Sequence, residues 1–83
     1  MERRDELMAA NYSFSIVLEP QDGGGFTVSV PALPEVVTEG ETEGEALINA
    51  EEAIRAVLEY RQDHGIPIPS DTLPEVRRVT VVA

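Results

Sequence analysis

The sequence contains no cysteine, and this absence excludes several kinds of chemistry. Without thiols there is no disulfide framework, no thiolate metal cage and no cysteine nucleophile. A single domain of 83 residues buries only about 60% of the surface that its unfolded chain exposes. Further stability must come from packing or from self-association, so the sequence predicts an oligomer.

Long apolar runs and basic residues are also scarce. No run approaches the roughly 20 apolar residues of a membrane span, and residues 1–10 lack the apolar core of a signal peptide, so we expect a cytoplasmic protein. Six basic residues, all arginine, face sixteen acidic ones, and the net charge is −10. Such a field repels phosphate backbones, so direct binding of nucleic acid by this domain is not expected. The acidity either keeps the protein in solution or complements a basic protein that handles RNA or DNA.

Alternating apolar and polar residues predict three strands in the first half of the chain. Residues 12–19 have the period of two of a half-buried strand, and residues 26–30 resume it after a glycine-rich turn over residues 21–25 that includes Asp22. These two strands are predicted to form a hairpin. Residues 36–39 follow two prolines and are predicted to form a short third strand beside the second.

A helix is predicted after the third strand. Thr42 and Glu45 fit a capping box, in which the hydroxyl and the carboxylate bind unpaired backbone amides. Gly65 supplies a left-handed stop, and Pro67 and Pro69 prevent continuation. One apolar stripe then recurs at three- and four-residue steps: Ala46, Leu47, Ala50, Ala53, Ile54, Val57 and Leu58.

The chain ends on a further strand-like pattern over residues 77–83. We predict that this fourth strand lies beside and parallel to the first, because the helix and its exit can cross the sheet by a right-handed connection. The predicted fold is therefore α+β, in the order β-β-β-α-β, with one helix packed on one face of a four-stranded sheet. Residues 1–11 are expected to be a flexible or short helical leader, and residues 12–83 a single domain.

The residue types needed for catalysis or metal binding are not grouped. His64 falls at the predicted end of the helix, where an imidazolium interacts favourably with the helix dipole. Its spacing from Asp63, Ser70 and Asp71 does not place a nucleophile, a base and an orienting group together. One histidine with scattered carboxylates has no recognised ligand spacing. We therefore expect no metal, no cofactor and no enzymatic activity.

Several short segments occur in a fixed order between residues 12 and 70: Val30-Pro31-Ala32-Leu33-Pro34, Thr38-Glu39-Gly40-Glu41-Thr42, Glu45-Ala46, Asn49-Ala50, Glu52-Ala53-Ile54 and Gly65-Ile66-Pro67-Ile68-Pro69-Ser70. Together they resemble the signature of the HicB-type antitoxin family, and an ordered set is more specific than any one short motif. Two residues depart from that pattern. Glu35 stands where the family usually has glycine, and Glu41 stands where aspartate is common.

The resemblance implies a partial ribonuclease-H-like fold without ribonuclease activity, in a short form without the DNA-binding domain that many members carry. It also implies a partner, a basic HicA-type toxin that cleaves messenger RNA with a histidine. The family role would be neutralisation of that toxin by direct protein contact. The alternative is an orphan scaffold or regulator that self-associates and binds another basic protein.

Two sets of residues are candidates for these contacts. Acids at the hairpin tip and at the corner between the third strand and the helix are candidates for partner binding, although they equally suit a role in capping and solubility: Asp22, Glu39, Glu41 and Glu43. The last strand is β-branched and lacks the lysine or proline that commonly protects an open edge. It is the candidate interface of a homodimer or homotetramer: Val79, Thr80, Val81 and Val82.

Overall fold

The structure of the chain is a computed structural model and describes residues 11–83. It contains three strands, β1 (Val17–Pro20), β2 (Phe26–Ser29) and β3 (Val37–Gly40), followed by one helix, α1 (Glu43–Asp63). The strands form an antiparallel sheet in the order β1-β2-β3. The predicted leader lies outside the described residues, apart from Asn11. Within residues 11–83, no helix combines the length and the apolar character needed to cross a membrane.

The predicted hairpin is confirmed. Val17 pairs with Ser29 and Pro20 pairs with Phe26, so β1 and β2 are joined by residues 21–25. The amide of Gln21 donates to the carbonyl oxygen of Gly25 at 2.9 Å and closes the turn. Three consecutive glycines have φ values of 85°, 107° and 89°, a region that other residues enter only at a cost. The glycine run is therefore a requirement of the turn.

The helix covers one face of the sheet, and the buried residues form two clusters. One cluster joins β2 to the first turns of α1: Val28, Ala46 and Ala50, with Ile16, Leu18 and Phe26 packed against them. The other lies around the connection from β2 to β3: Val30, Leu33 and Val36, with Phe14, Ile16, Ala53, Ile54, Val57 and Leu58 packed against them. The predicted apolar stripe is thus confirmed except at Leu47, which is exposed.

The end of β3 lies directly against the first turn of α1. A Cβ atom built on Gly40 would come within 2.7 Å of the Cα atom of Ala46, closer than real Cβ atoms approach a neighbour. Asn49 donates from Nδ2 to the carbonyl oxygen of Glu39 at 2.8 Å, which joins α1 to β3 a turn later. Only glycine at position 40 allows this spacing.

The helix ends as the sequence predicts. His64 caps α1, and Gly65 follows with a φ of 67°. The ring of His64 is stacked on Tyr60 with centroids 4.0 Å apart, and its Nδ1 lies 2.8 Å from the carbonyl oxygen of Tyr60. His64 therefore binds the last turn of the helix, in the position where a positive charge interacts well with the dipole.

Arg61 joins three parts of the chain. Its Nη2 lies 2.8 Å from Oε2 of Glu35, in the connection between β2 and β3, and its Nη1 donates to the carbonyl oxygen of Pro67 at 2.9 Å. A backbone hydrogen bond at Glu35 and the Arg61 guanidinium lower the pKa of the Glu35 carboxyl. Position 35 is usually glycine in the HicB-type family that the sequence resembles. Here Glu35 holds Arg61, and Arg61 in turn holds Pro67, so Glu35 helps to fix the path by which the chain leaves the helix.

The fourth strand predicted at residues 77–83 is not confirmed. No residue after Asp63 is in a strand, and every residue from Ser70 to Ala83 is exposed. The pattern correctly describes residues with a strong preference for extended structure, but a strand also needs a partner. The proposed interface residues lie in this exposed segment: Val79, Thr80, Val81 and Val82.

We predict that Gly40→Ala destabilises the domain by about 2 kcal/mol, because the added methyl group forces β3 and α1 apart, as overpacking does in other cores. Gly44→Ala is the matched control, since a Cβ there meets nothing within 4 Å. Because position 44 lies in the first turn of the helix, Gly44→Ala should raise the free energy of unfolding by about 0.5 kcal/mol. Urea unfolding followed by circular dichroism measures both. Equal effects of the two substitutions would contradict the close contact at Gly40.

A candidate partner-binding corner

The hairpin turn, the end of β3 and the start of α1 meet at one end of the domain. We call residues 21–25 and 39–45 the acidic corner. They surround most of an open cavity of about 460 Å³, whose wall also includes Phe26 and Asn49. Three acidic residues line it: Glu39, Glu41 and Glu45. The cavity is therefore a shallow hollow with carboxylates around it.

A capping box holds the acidic corner in shape. The hydroxyl oxygen of Thr42 accepts a hydrogen bond from the amide of Glu45 at 3.1 Å, as predicted. The Oε1 atom of Glu45 accepts from the amide of Glu41 at 2.6 Å, one residue before the cap itself. The first bond satisfies a backbone amide that the helix start leaves unpaired, and the second ties the residue before the cap to the first helical turn. The backbone that carries Glu41 is thereby fixed to the helix.

The helix start also explains why acids are tolerated so densely here. Glu43 and Glu45 lie in the first turn of α1, where the partial positive charge of the helix end favours carboxylates. The effect is modest, typically about 0.3–1 kcal/mol for each exposed charge. A structural role in the helix start and a role in binding are therefore compatible for the same residues.

The structure brings the four predicted contact residues to one corner, but not into one hollow. Glu39 and Glu41 line the cavity, and Glu41 also lines a smaller depression beside Gly23, Gly24 and Gly25. Asp22 is exposed in the hairpin turn, and Glu43 is exposed on the first helical turn, outside both linings. Glu45 lines the cavity as well. Sequence reasoning assigned it only to the cap, although an acid three residues after Thr42 already indicated where its carboxylate would lie.

No arginine of residues 11–83 neutralises the acidic corner. Three of the arginines there form ion pairs, and each pairs with a glutamate elsewhere: Arg55 with Glu51, Arg61 with Glu35, and Arg77 with Glu75. Within residues 11–83, the carboxylates of Glu39 and Glu41 thus have no arginine partner. Carboxylates bind guanidinium and ammonium groups through the stronger, charge-assisted class of hydrogen bond.

The charge continues onto the face of the sheet that the helix leaves uncovered. The strand registers place Glu19, Thr27 and Glu39 in one row across the sheet. Because side chains alternate along a strand, this row lies on the face opposite to buried Val28. Glu39 therefore joins the acidic corner to the open face of the sheet, and a partner approaching from either side meets negative charge.

The geometry does not favour catalysis by the candidate groups. His64 lies at the end of α1 opposite to the corner, and a helix of 21 residues is about 30 Å long. His64 thus cannot act on a group bound beside Asp22 or Glu41. Among residues 11–83, no three His, Asp or Glu side chains are grouped so that they could hold a metal ion.

The chain is similar to one protein family and to several known proteins. Residues 14–79 match the model of a family described as HicB_like antitoxin of bacterial toxin-antitoxin system. The chain is 41% identical over 63 residues to the UPF0150 protein Ta0767 of Thermoplasma acidophilum, an alignment that covers 76% of this chain and 91% of that protein. It is 38% identical over 61 residues to Antitoxin HicB 1 of Photorhabdus laumondii, covering 71% of this chain and 39% of the antitoxin. Antitoxin HicB of Escherichia coli is 37% identical over 59 residues, with 69% and 43% covered. The chain thus spans less than half the length of the two HicB antitoxins.

We predict that Thr42→Ala lowers the free energy of unfolding by about 1 kcal/mol, because it removes the acceptor for the Glu45 amide. Thr42→Ser keeps the hydroxyl and should restore most of that loss. Thr72→Ala is the control for loss of an exposed threonine, and no change is expected there. Denaturant unfolding measures all three. A Thr42→Ser variant as unstable as Thr42→Ala would show that the hydroxyl does not hold this corner.

Proposed function

Because the chain belongs to the HicB-like antitoxin family, we propose that it is an antitoxin-like binding protein that neutralises a basic, mRNA-cleaving toxin of HicA type by direct contact. The observation that carries the proposal is the acidic corner, whose carboxylates have no arginine partner among residues 11–83. The net charge of −10 gives the whole molecule the sign that attracts a basic protein.

The proposed mechanism is competition for the surface of the toxin that holds RNA. A protein that cleaves RNA binds phosphates through arginine and lysine side chains, and carboxylates compete for the same groups. Glu39 and Glu41 stand on backbone that the cap and the Asn49 contact already hold in place. Little ordering is then needed on binding, which keeps the entropic cost of association low. Neutralisation by occupancy requires no catalytic group in this chain.

Further parts of the proposal concern location and assembly. The toxin's substrate is messenger RNA, so we place the pair in the cytoplasm. The exposed aliphatic residues near the end of the chain support a homodimer or homotetramer, because isolated apolar segments of this kind are commonly covered by a partner. Pairing of that segment as a fourth strand would complete the partial ribonuclease-H-like fold.

The direct test is co-expression of the chain with any small basic protein that a neighbouring gene encodes. Expression of that protein alone should arrest growth and deplete messenger RNA, and co-expression of the chain should restore growth and yield a purified complex. Growth arrest that persists although both proteins accumulate would contradict neutralisation. Capture of a different basic protein, with no effect on the neighbour, would favour the orphan scaffold.

The contact surface is tested by reversing charge at the corner. Glu39→Lys with Glu41→Lys should lower the association rate constant with the toxin by roughly tenfold and weaken its dependence on salt, because charges that steer the encounter act on the association rate. Glu52→Lys with Glu59→Lys is the matched control, since it changes the net charge equally on exposed positions of the helix. Association rates measured at several ionic strengths separate the effect of contacts at the acidic corner from the effect of the net charge of the chain. Equal losses in both double variants would mean that net charge alone, and not the corner, governs binding.

A further inference from the structure

The outer edge of β1 is open. β1 pairs with β2 only, and within residues 11–83 no strand lies on its other side. Along such an edge, every second residue presents an unpaired amide and carbonyl group, and proteins normally cover or protect it. Proline at position 20 blocks only the last residue of β1. The edge can therefore accept another strand.

The last twelve residues are a segment that could fill such an edge, because their composition is strand-like and they pair with no strand among residues 11–83. We call residues 72–83 the C-terminal tail, and all of them are exposed. The exposed fraction of the residue is 93% at Val76, 81% at Val79, 78% at Val81 and 95% at Val82. β-Branched residues favour extended pairing and gain stability when covered, so this tail is suited to add to a sheet edge.

A contact beside β1 sets where the tail begins. The amide and the hydroxyl of Ser15 both donate to the carboxylate of Asp71, at 2.7 and 2.8 Å. These bonds lower the pKa of Asp71, so the carboxylate is held in its charged form. The chain thus leaves the domain next to the start of the open edge. Pro74 restricts Leu73 to extended conformations, and from there to Ala83 every residue is exposed and none is paired in a strand.

The charges of the tail favour an acidic surface as its partner. Two arginines, Arg77 and Arg78, stand in the tail against one acid, Glu75, whereas the chain as a whole has a net charge of −10. Arg77 pairs with Glu75, and Arg78 has no ion pair among residues 11–83. Glu19 on β1 is likewise exposed and without an ion pair in that part of the chain. The basic tail is complementary to the acidic domain of another copy, and both halves of the contact are present on one sequence.

We propose that the C-terminal tail pairs with the open edge of β1 in a second copy of this chain, so that two copies exchange tails and each sheet gains a fourth strand. The proposal rests on the self-association proposed above and assigns it a contact. Reciprocal exchange removes two open edges and covers two apolar tails in one closed dimer, with the same surfaces used on both copies. It differs from pairing of one tail with the other tail, which leaves β1 open.

The sequence has no cysteine, so introduced thiols report only on the designed positions. Glu19→Cys and Thr80→Cys chains are prepared separately, mixed, and treated with a short bismaleimide reagent. The proposal predicts a cross-linked dimer in the mixture at several times the yield of either variant alone. Glu52→Cys mixed with Thr80→Cys is the control on the helix surface and should give little product. Val79, Val81 and Val82 are tested in the same way, because the register of the pair shifts the best position by a residue or two.

A second measurement separates this proposal from self-association in general. Sedimentation equilibrium should give twice the 9.1 kDa chain mass at micromolar concentration. Val81→Pro should weaken the dimer at least tenfold, whereas Val81→Thr, which keeps the amide and the β-branch, should not. Product from Thr80→Cys alone would mean tail-to-tail pairing, and a link within one chain carrying both cysteines would mean that the tail folds back; either overturns the exchange. A dimer without any of these links overturns it while self-association stands, and a monomer throughout overturns both.

Discussion

The contact between Gly40 and Ala46 is the constraint on which the rest of the structure depends. It sets the distance between the end of β3 and the start of α1, and no side chain fits between them. With that distance fixed, Ala46 and Ala50 reach Val28 and form the first buried cluster. The cap at Thr42 and the Asn49 bond then hold the same junction from either side. The acidic corner is the outer surface of this junction, so its rigidity follows from the packing beneath it.

Much of this arrangement could be predicted from local sequence. The hairpin, the capping box and the stop at Gly65 each depend on residues within a few positions of one another, and glycine, threonine and proline act there through backbone geometry. The apolar stripe of the helix was also predictable, because burial on one face imposes a period of 3.6 residues. The order of these features is confirmed, but their bounds differ: β3 is Val37–Gly40 where residues 36–39 were predicted, and β1 is Val17–Pro20, about half as long as the strand predicted over residues 12–19.

The fourth strand and the hollow of the corner depend on longer-range information. Residues 77–83 have the composition of a strand, but composition does not specify which edge they meet or on which copy of the chain. The roles of Glu35 and Arg61 could not be read from spacing, because the two residues are brought together only when the connection from β2 to β3 packs against α1. Likewise, Glu45 appears in sequence as a cap residue alone, and only the fold places it beside Glu39 in one cavity wall.

The central claim is that a basic toxin binds the acidic corner. It is tested most directly by titrating the HicA-type toxin into isotope-labelled chain and mapping the changes in backbone amide chemical shifts. We expect the largest changes on residues 21–25 and 39–45, together with Glu19 and Thr27 on the adjoining row of the sheet. Changes concentrated around His64 at the far end of α1, with residues 39–45 unaffected, would contradict it.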